Sequence, residues 1–180
     1  FLADLALASL GGELKKKEKL SGEFADVLIW LYLATCTLRK FEAEGRRKEE
    51  LPLVQWCCED ALLKVQQGFD NIFNNFPIPL IGLLFKGPVA LWSRFNSLST
   101  KPSHKLGAKV ARIFLFPSET RDRQTEGCFI PKNQEEQAAK IEETFLLVHE
   151  TQDIYKRIRK AIYSGQIKKA RPKYVLKEAL

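Results

Sequence analysis

Apolar side chains recur every three or four residues over most of this chain, which is the period of an α-helix with one buried face. No stretch alternates apolar and polar residues between hairpin turns, so strands are not predicted. The pattern predicts an all-α fold: an antiparallel helical bundle with two long helices and shorter helices packed across them. The two long stripes consist of Phe24, Val27, Leu28, Leu31, Ala34, Thr35, Leu38 and Phe41, and of Val54, Cys57, Cys58, Ala61, Leu62, Val65, Phe69, Ile72, Phe73 and Phe76.

The ends of the two long helices carry ordinary start and stop signals. Ser21 is a suitable N-cap for the first, and Gly45 is a suitable terminator. Pro52 fits the first turn of the second, which Phe76–Pro79 should end because proline lacks an amide hydrogen and disfavours helix in the residue before it. Within the first helix, Val27–Ala34 is apolar on every side, a pattern typical of a helix at the centre of a bundle.

The first ten residues are predicted to form the end of a helix, which Gly11 and Gly12 terminate. They lack a basic leading region and a small-residue cleavage site, so a signal peptide is not predicted. We expect the helix to leave an apolar patch bare, formed by Leu2, Leu5, Leu7 and Leu10.

Pro79–Phe95 is short and very apolar, and the sequence predicts two short helical pieces separated by a break at Gly87-Pro88. The segment falls short of the roughly 20 apolar residues that a bilayer span needs. Its apolar side chains, with Trp92 beside Lys86 and Arg94, suit a membrane interface. The alternative is that the segment packs onto the bundle or onto a second subunit.

Shorter helices are predicted after this segment. One covers Lys105–Phe116, and a short one begins at Ser118. A last helical region capped by Asn133 is interrupted at Glu150–Asp153 and ends at Gly165. The organisation predicted is therefore one helical domain over residues 1–165 and a basic polar tail over residues 166–180.

Charge and cysteine content narrow the class of protein. The net charge is +7, and Ile154–Leu176 holds eight Lys or Arg residues and no acid. Such a stretch suits nucleic acid, anionic lipid or an acidic protein. Aromatic residues are not interleaved with exposed basic residues, so no nucleic-acid partner is predicted. The cysteines Cys36, Cys57, Cys58 and Cys128 form no metal-ligand spacing; we expect buried reduced thiols and a cytoplasmic protein.

No recognised catalytic constellation is present. The chain lacks a Gly-rich dinucleotide motif, a P-loop and a nucleophile elbow. His149 lies beside Glu150 without a serine or cysteine nearby in sequence, and His104 stands in a lysine-rich loop edge. The prediction is a segment with no catalytic, cofactor-binding or metal-binding residue.

Several short motifs in collinear order resemble the C-terminal extension of bacterial long-chain (FadE-type) acyl-CoA dehydrogenases. The resemblance covers Leu10 to about Ile162, and its specificity comes from the number and order of motifs, each modest alone. The chain departs from the family pattern over Leu80–Phe95, at His104 and after Gly165. The motifs include Leu10-Gly11-Gly12-Glu13-Leu14-Lys15, Ser21-Gly22, Leu31-Tyr32-Leu33-Ala34, Leu38–Arg46, Leu51-Pro52-Leu53 with Trp56 and Asp60, Asn75-Phe76-Pro77, Lys109-Val110-Ala111, and Pro117-Ser118 with Arg121-Asp122-Arg123.

The resemblance implies a parent enzyme that oxidises a fatty acyl-CoA to the trans-2-enoyl-CoA in fatty acid β-oxidation, with FAD accepting the hydride. The catalytic and flavin-binding parts would lie in an N-terminal core of the same chain, and none of their residues maps onto this segment. The implied role is domain packing, homo-oligomerisation or association with the surface of the inner membrane. The alternative function is a standalone helical scaffold or membrane-surface module.

The apolar segment Pro79–Phe95 and the basic stretch Ile154–Leu176 contain the candidate contacts with a membrane or a partner. We expect the apolar segment to contribute side chains that enter the partner surface, and the basic stretch to add attraction to anionic groups. The residues predicted to make these contacts are Leu80, Leu84, Phe85, Trp92, Phe95, Lys156, Arg157, Arg159 and Lys160.

Overall fold

The structure is a computed structural model that describes residues 1–129, 131 and 135–168. Within these residues every regular element is helical, so the all-α fold is confirmed. A 3₁₀ helix (Gly11–Lys16) precedes α2 and a π-helical turn (Phe85–Val89) joins α4 to α5. The α-helices are α1 (Leu2–Leu10), α2 (Glu18–Ala43), α3 (Leu51–Asn75), α4 (Pro79–Leu84), α5 (Ala90–Phe95), α6 (His104–Leu115), α7 (Glu119–Gln124), α8 (Gln137–Glu150) and α9 (Gln152–Tyr163).

The two long helices, α2 and α3, pack against each other in antiparallel directions. Asn71 on α3 donates a hydrogen bond of 3.0 Å to Glu23 on α2, while Gly68 faces Val27. A Cβ atom at Gly68 would lie 2.5 Å from Cγ2 of Val27, so the close approach depends on glycine at this position. The predicted pair of long helices is therefore confirmed.

The main hydrophobic core lies at one end of this pair, where the beginning of α2 meets the end of α3. At that end α1 and the α4–α5 segment add further layers. The Phe85 ring meets the rings of Phe73 and Phe76 edge-on, with centroids 5.3 and 5.0 Å apart. The buried members of the core are Ala6, Leu20, Val27, Val65, Ile72, Phe73, Phe76 and Phe85.

Most of the predicted ends of the long helices are confirmed, but the start of α2 is not. Gly45, with a φ of +83°, follows the end of α2 at Ala43, and α3 begins at Leu51 and ends at Asn75, before Phe76. The shorter α1 ends before Gly11, whose φ is +49°. Helix α2 starts at Glu18, earlier than predicted, so Ser21 lies inside it and is not the N-cap. The Ser21 hydroxyl instead donates a hydrogen bond of 3.0 Å to the carbonyl of Leu14, which ties the 3₁₀ helix to α2.

The break predicted at Gly87-Pro88 is wrong, because the backbone passes through both residues as a π-helical turn. In an α-helix, Pro88 would leave one carbonyl without its amide donor and would clash with the carbonyl of Leu84. The wider π turn accommodates this without ending the helix. Helices α4 and α5 are therefore consecutive parts of one helical segment.

The described residues divide into two compact units, one formed by Phe1–Arg112 and the other starting at Ile113. The organisation into one domain over residues 1–165 with a tail stays a prediction. Of that tail, residues 169–180 lie outside the described part of the chain, as does the proposed cap Asn133.

In the second unit, Arg121 of α7 contacts Glu142 and Phe145 of α8. Its guanidinium donates hydrogen bonds of 3.1 and 2.7 Å to the two carboxylate oxygens of Glu142 and lies 4.1 Å from the ring centroid of Phe145. The Ser118 hydroxyl accepts a hydrogen bond of 3.1 Å from the amide of Arg121, which confirms the predicted start of α7. Thr151 separates α8 from α9, inside the interval predicted to interrupt the last helical region.

Candidate interaction surfaces

The middle of α2 was predicted to be central in a bundle, and this prediction is wrong. Leu28 is 69% exposed and Tyr32 is 67% exposed, and Ile29 and Leu33 are also largely exposed. Positions 25, 28, 29, 32 and 36 fall on one side of a helix, roughly opposite the side that buries Leu20 and Val27. We call the exposed set Ala25, Leu28, Ile29, Tyr32 and Cys36 the α2 outer face.

A shallow apolar groove between α1 and α2 borders the α2 outer face. Its walls include Leu2 from α1, Phe24 and Leu31 from α2, and Phe69 from α3. Leu28 belongs to both the groove and the α2 outer face. The groove and the face therefore form one continuous apolar surface.

The bare leucine patch predicted on α1 is largely absent, since α1 packs onto the core. Ala6 is fully buried, and Leu2, Leu5 and Leu10 are half-buried against the core. Only Leu7 of the four predicted leucines is mainly exposed. The helix uses the leucines on one side to cover α2 and α3, which sequence periodicity over nine residues did not distinguish from an open face.

The α4–α5 segment presents a second apolar surface. Leu80 and Phe95 are each 80% exposed, and Leu84 and Trp92 are also exposed. Phe85 is a correction: it is only 5% exposed and packs between Phe73 and Phe76, because the π turn directs it into the core. We call the exposed set Leu80, Leu83, Leu84, Leu91, Trp92 and Phe95 the apolar arm.

A buried polar cluster holds the apolar arm against α3. The Gln66 amide nitrogen donates hydrogen bonds to Ser93 Oγ at 2.6 Å and to Asp70 Oδ1 at 3.0 Å. The Ser93 hydroxyl donates to the same Asp70 oxygen at 3.0 Å, and the amide of Leu98 donates to Gln66 Oε1 at 3.1 Å. Because these partners satisfy one another, the cluster fixes α5 without leaving its buried side-chain groups unpaired.

The predicted basic contacts lie on α9, in the second unit. Lys156, Arg157, Arg159 and Lys160 are all exposed. On the same helix Ile158 and Ile162 are half-buried, whereas Ile154 is exposed. Helix α9 thus separates an apolar face from a basic one.

A second set of cations was missed by the sequence reasoning. Lys105, Lys109 and Arg112 of α6 are exposed and stand at positions i, i+4 and i+7, which places them on one face of the helix. Leu106 is buried and Val110 half-buried on a different face. The signal that could have identified them is the absence of any Asp or Glu between Asn71 and Ser118. We call Lys105, Lys109 and Arg112 the basic stripe.

The cysteines do not match the prediction of buried thiols. Cys36 and Cys128 are exposed, and Cys57 and Cys58 are partly buried. Burial raises the pKa of the Cys57 thiol, and the neighbouring Cys58 and Asp60 raise it further. A hydrogen bond with Cys36 raises the pKa of Tyr32 on the α2 outer face.

The described residues contain no glycine-rich turn that leads into an α-helix N-terminus, which is one common arrangement by which backbone amides hold a dinucleotide pyrophosphate. Here Gly11, Gly45 and Gly165, which have positive φ, follow the ends of helices, and the grooves are open depressions on helix surfaces. Over residues 1–129, 131 and 135–168, no cluster of His, Cys, Asp or Glu could hold a metal ion either.

His149 is a surface residue. Its ring meets Phe116 edge-on with centroids 6.1 Å apart. None of the helices in the described part of the chain is long and apolar enough to cross a membrane. The surfaces described above are the α2 outer face with its groove, the apolar arm, and the basic residues of α9 and of the basic stripe.

Comparison with known proteins identifies the family of the chain. No solved structure matches the chain. The family model described as "Acyl-CoA dehydrogenase, C-terminal, bacterial type" matches residues 1–180, the whole chain. The chain therefore belongs to the family of C-terminal domains of bacterial-type acyl-CoA dehydrogenases, and an N-terminal core in the same polypeptide is implied.

Proposed function

We propose that this chain is the non-catalytic helical domain of an FAD-dependent acyl-CoA dehydrogenase of fatty acid β-oxidation, and that it packs onto the catalytic core through the α2 outer face. The core would bind FAD and convert acyl-CoA to trans-2-enoyl-CoA, and this segment would contribute no group to that reaction. The family assignment supports the presence of the core. The alternative of a standalone module would leave the α2 outer face without a cover.

The observation that carries the proposal is the exposure of the α2 outer face. Three large apolar side chains of this face, Leu28, Ile29 and Tyr32, lie in the middle of a 26-residue helix and are each at least 50% exposed. Burying a side chain of this size completely stabilises a protein by about 1.5–3 kcal/mol. A contiguous apolar face of this kind marks an interaction surface, and a covalently attached core is always available to cover it.

Co-purification of the two halves of the enzyme tests this role. The catalytic core and the 180-residue chain would be expressed as separate polypeptides, with an affinity tag on the core. We expect the wild-type chain to co-purify with the core. The double variant Leu28→Lys, Tyr32→Glu should no longer co-purify, because binding would bury two charges at the contact.

The matched control places the same kind of change on the apolar arm. Leu91→Lys with Leu80→Glu introduces two charges at apolar positions outside the α2 outer face that are also more than half exposed. Retention of this variant with loss of the α2 variant supports the proposal. Equal retention of both variants would show that another surface holds the core.

A second function, contact with the inner-membrane surface from the cytoplasmic side, is favoured by the apolar arm. Its six large side chains lie within 16 residues and are more than half exposed. Trp92 lies in the same exposed segment as Lys86 and Arg94, a combination suited to the boundary between headgroups and acyl chains. A long-chain substrate partitions into membranes, so an enzyme held there would meet it at high local concentration.

Vesicle co-sedimentation of the complete enzyme tests the membrane contact. We expect the wild-type enzyme to bind vesicles of mixed lipid. The double variant Trp92→Ala, Phe95→Ala should bind about ten-fold more weakly, since each substitution removes most of the apolar area that the side chain would bury in the bilayer. Phe129→Ala is the control, because Phe129 is an exposed aromatic residue in the second unit. An arm variant that sediments like the wild type would remove the arm from the contact.

The homo-oligomer implied by the resemblance has a candidate surface in the second unit. Leu115, Ile141 and Val148 are exposed around an apolar depression that also includes Phe145. We propose that a second subunit covers this depression. Val148→Glu should then shift the complete enzyme to a smaller species in light scattering, and an unchanged mass would place the subunit contact elsewhere.

A further inference from the structure

The basic stripe on α6 is a second surface feature of the first unit, separate from the apolar arm. Lys105, Lys109 and Arg112 extend from the same face of a 12-residue helix. The helix itself is held through other positions: Leu106 is buried, and Gly107 lies beside the Trp56 indole nitrogen. The three cations are therefore exposed on a helix whose position other residues fix.

Negative charge is missing from the whole segment that contains the stripe. Between Asn71 and Ser118 the sequence has no Asp or Glu, and its six Lys and Arg residues are Lys86, Arg94, Lys101, Lys105, Lys109 and Arg112. All six are exposed. In the described part of the chain none of them forms a salt bridge. The segment is therefore strongly positive, because it contains no Asp or Glu that would neutralise its cations.

We propose that the basic stripe binds the anionic headgroups of a phospholipid bilayer and so brings the apolar arm to the membrane. The inference rests on the proposed membrane contact and deepens it, because it names the lipid chemistry and the residues that recognise it. Lysine and arginine suit this role, since both donate hydrogen bonds to phosphate oxygens while their aliphatic stems remain along apolar surface.

Continuity with the apolar arm favours lipid over an acidic protein. The arm and the stripe belong to one acid-free segment, and the chain between them, from Asn96 to Ser103, is only eight residues long. Leu98 in this connection is also exposed, although its amide is fixed to Gln66. A segment that combines exposed leucine, tryptophan and phenylalanine with Lys and Arg and has no Asp or Glu has the composition of an element that lies at the interface of an anionic bilayer.

The two parts have different physical roles. Coulomb attraction between the stripe and anionic lipid acts over about 8–10 Å at physiological salt, so it governs the approach and is weakened by added salt. Insertion of the arm acts at contact and depends on apolar area, so salt changes it little. The proposal therefore predicts that the stripe determines lipid charge selectivity and that the arm determines how firmly the protein is retained.

The test compares variants of the complete enzyme on two kinds of vesicle, phosphatidylcholine alone and phosphatidylcholine with added phosphatidylglycerol. The stripe variant is Lys105→Gln, Lys109→Gln, Arg112→Gln. The matched control is Lys15→Gln, Lys19→Gln, Lys48→Gln, which removes the same net charge from exposed lysines outside the acid-free segment. Circular dichroism of each variant verifies that the helices are intact.

We expect the stripe variant to lose roughly ten- to a hundred-fold in affinity for the anionic vesicles, and the control to lose about two-fold or less. The binding of the stripe variant should also depend less on salt than that of the wild type, and its weak affinity for phosphatidylcholine should not change. If both variants bind anionic vesicles equally, the assignment of the stripe is wrong, although the membrane contact of the arm stands. If the wild-type enzyme binds neither vesicle, the membrane contact itself fails, and the stripe inference fails with it.

Discussion

Helices α2 and α3 are almost equal in length, at 26 and 25 residues, and both have long apolar stripes. Their burial is very different. Helix α3 contains seven buried residues, whereas α2 contains two, Leu20 and Val27. Helix α3 is covered by α2 on one side and by the α4–α5 segment on another, so it is the central helix of the unit.

The contrast indicates which helix lacks a neighbour. Helix α2 has enough apolar residues to be buried on more than one side, yet the described residues cover only the side toward α3 and α1. If the α2 outer face is a contact surface, changes there should affect association and leave the stability of the isolated chain almost unaltered. Changes on the buried side of α3 should lower the stability of the isolated chain and should not act directly on association.

The largest expected effect compares isoleucines on the two helices. Ile72 on α3 is fully buried, and Ile29 on α2 is half exposed. Ile72→Ala should lower the free energy of unfolding of the isolated chain by about 2–5 kcal/mol, because it leaves a cavity in the core. Ile29→Ala should cost less than about 1 kcal/mol. Urea unfolding measures both, and equal losses would contradict the different burial of the two helices.

A smaller effect is expected for glycines. Alanine at Gly68 of α3 would place its Cβ 2.5 Å from Val27 Cγ2, so the Val27 side chain must rotate or the helices must separate; the expected loss is about 1–3 kcal/mol. At Gly22 of α2 a Cβ meets nothing within 4 Å, and alanine should stabilise the helix by up to about 1 kcal/mol. Thermal unfolding should thus give opposite signs, and a stabilising Gly68→Ala would show that α2 and α3 are not packed so closely.

A substitution in the polar cluster between α3 and α5 should lower the free energy of unfolding by a more moderate amount. Ser93→Ala removes a hydroxyl that both accepts from Gln66 and donates to Asp70. We expect a loss of about 1–2 kcal/mol, because two groups lose a partner in a largely buried place. Faster amide hydrogen exchange in Ala90–Phe95 should accompany it. Unchanged exchange there would mean that the cluster does not hold the arm.

The smallest expected effect concerns thiol chemistry on the two helices. Cys57 of α3 is partly buried, and burial raises its pKa above the ordinary value, so less of the reactive thiolate is present at a given pH. In the isolated chain iodoacetamide should modify exposed Cys36 before Cys57. The rate at Cys57 should still be rising at alkaline pH. Faster modification of Cys57 would contradict its placement against neighbouring side chains.

The helices themselves could be predicted well from the sequence, because periodic apolar residues and prolines act locally. The ends of α3 at Leu51 and Asn75 followed from Pro52 and from the prolines after Phe76. The start of α2 did not, since a serine that could cap a helix was used instead to bind the Leu14 carbonyl. Likewise, a π turn carries the backbone through Pro88, which a proline signal alone cannot reveal.

The surfaces were less predictable, because burial depends on neighbours that periodicity does not specify. The residues around Leu28 and Tyr32 have the composition of a core segment and yet are exposed, while Phe85, grouped with the arm, is buried. The arm residues Leu80, Leu84, Trp92 and Phe95 were found because their stretch combines many apolar side chains with Trp92 beside Lys86 and Arg94. The basic stripe was missed because the density of cations after Ile154 is a more conspicuous signal than the absence of acids before Glu119.

The central claim is that the catalytic core covers the α2 outer face, and the native cysteines provide the most direct measurement. Cys36 lies on that face, and Cys128 is an exposed cysteine of the second unit that serves as the internal control. Maleimide labelling followed by peptide mass spectrometry would compare the isolated chain with the complete enzyme. The account predicts that Cys36 reacts readily in the isolated chain and at least about ten-fold more slowly in the complete enzyme, since a buried contact excludes the reagent. Cys36 labelling as fast in the complete enzyme as in the isolated chain, relative to Cys128, would contradict it.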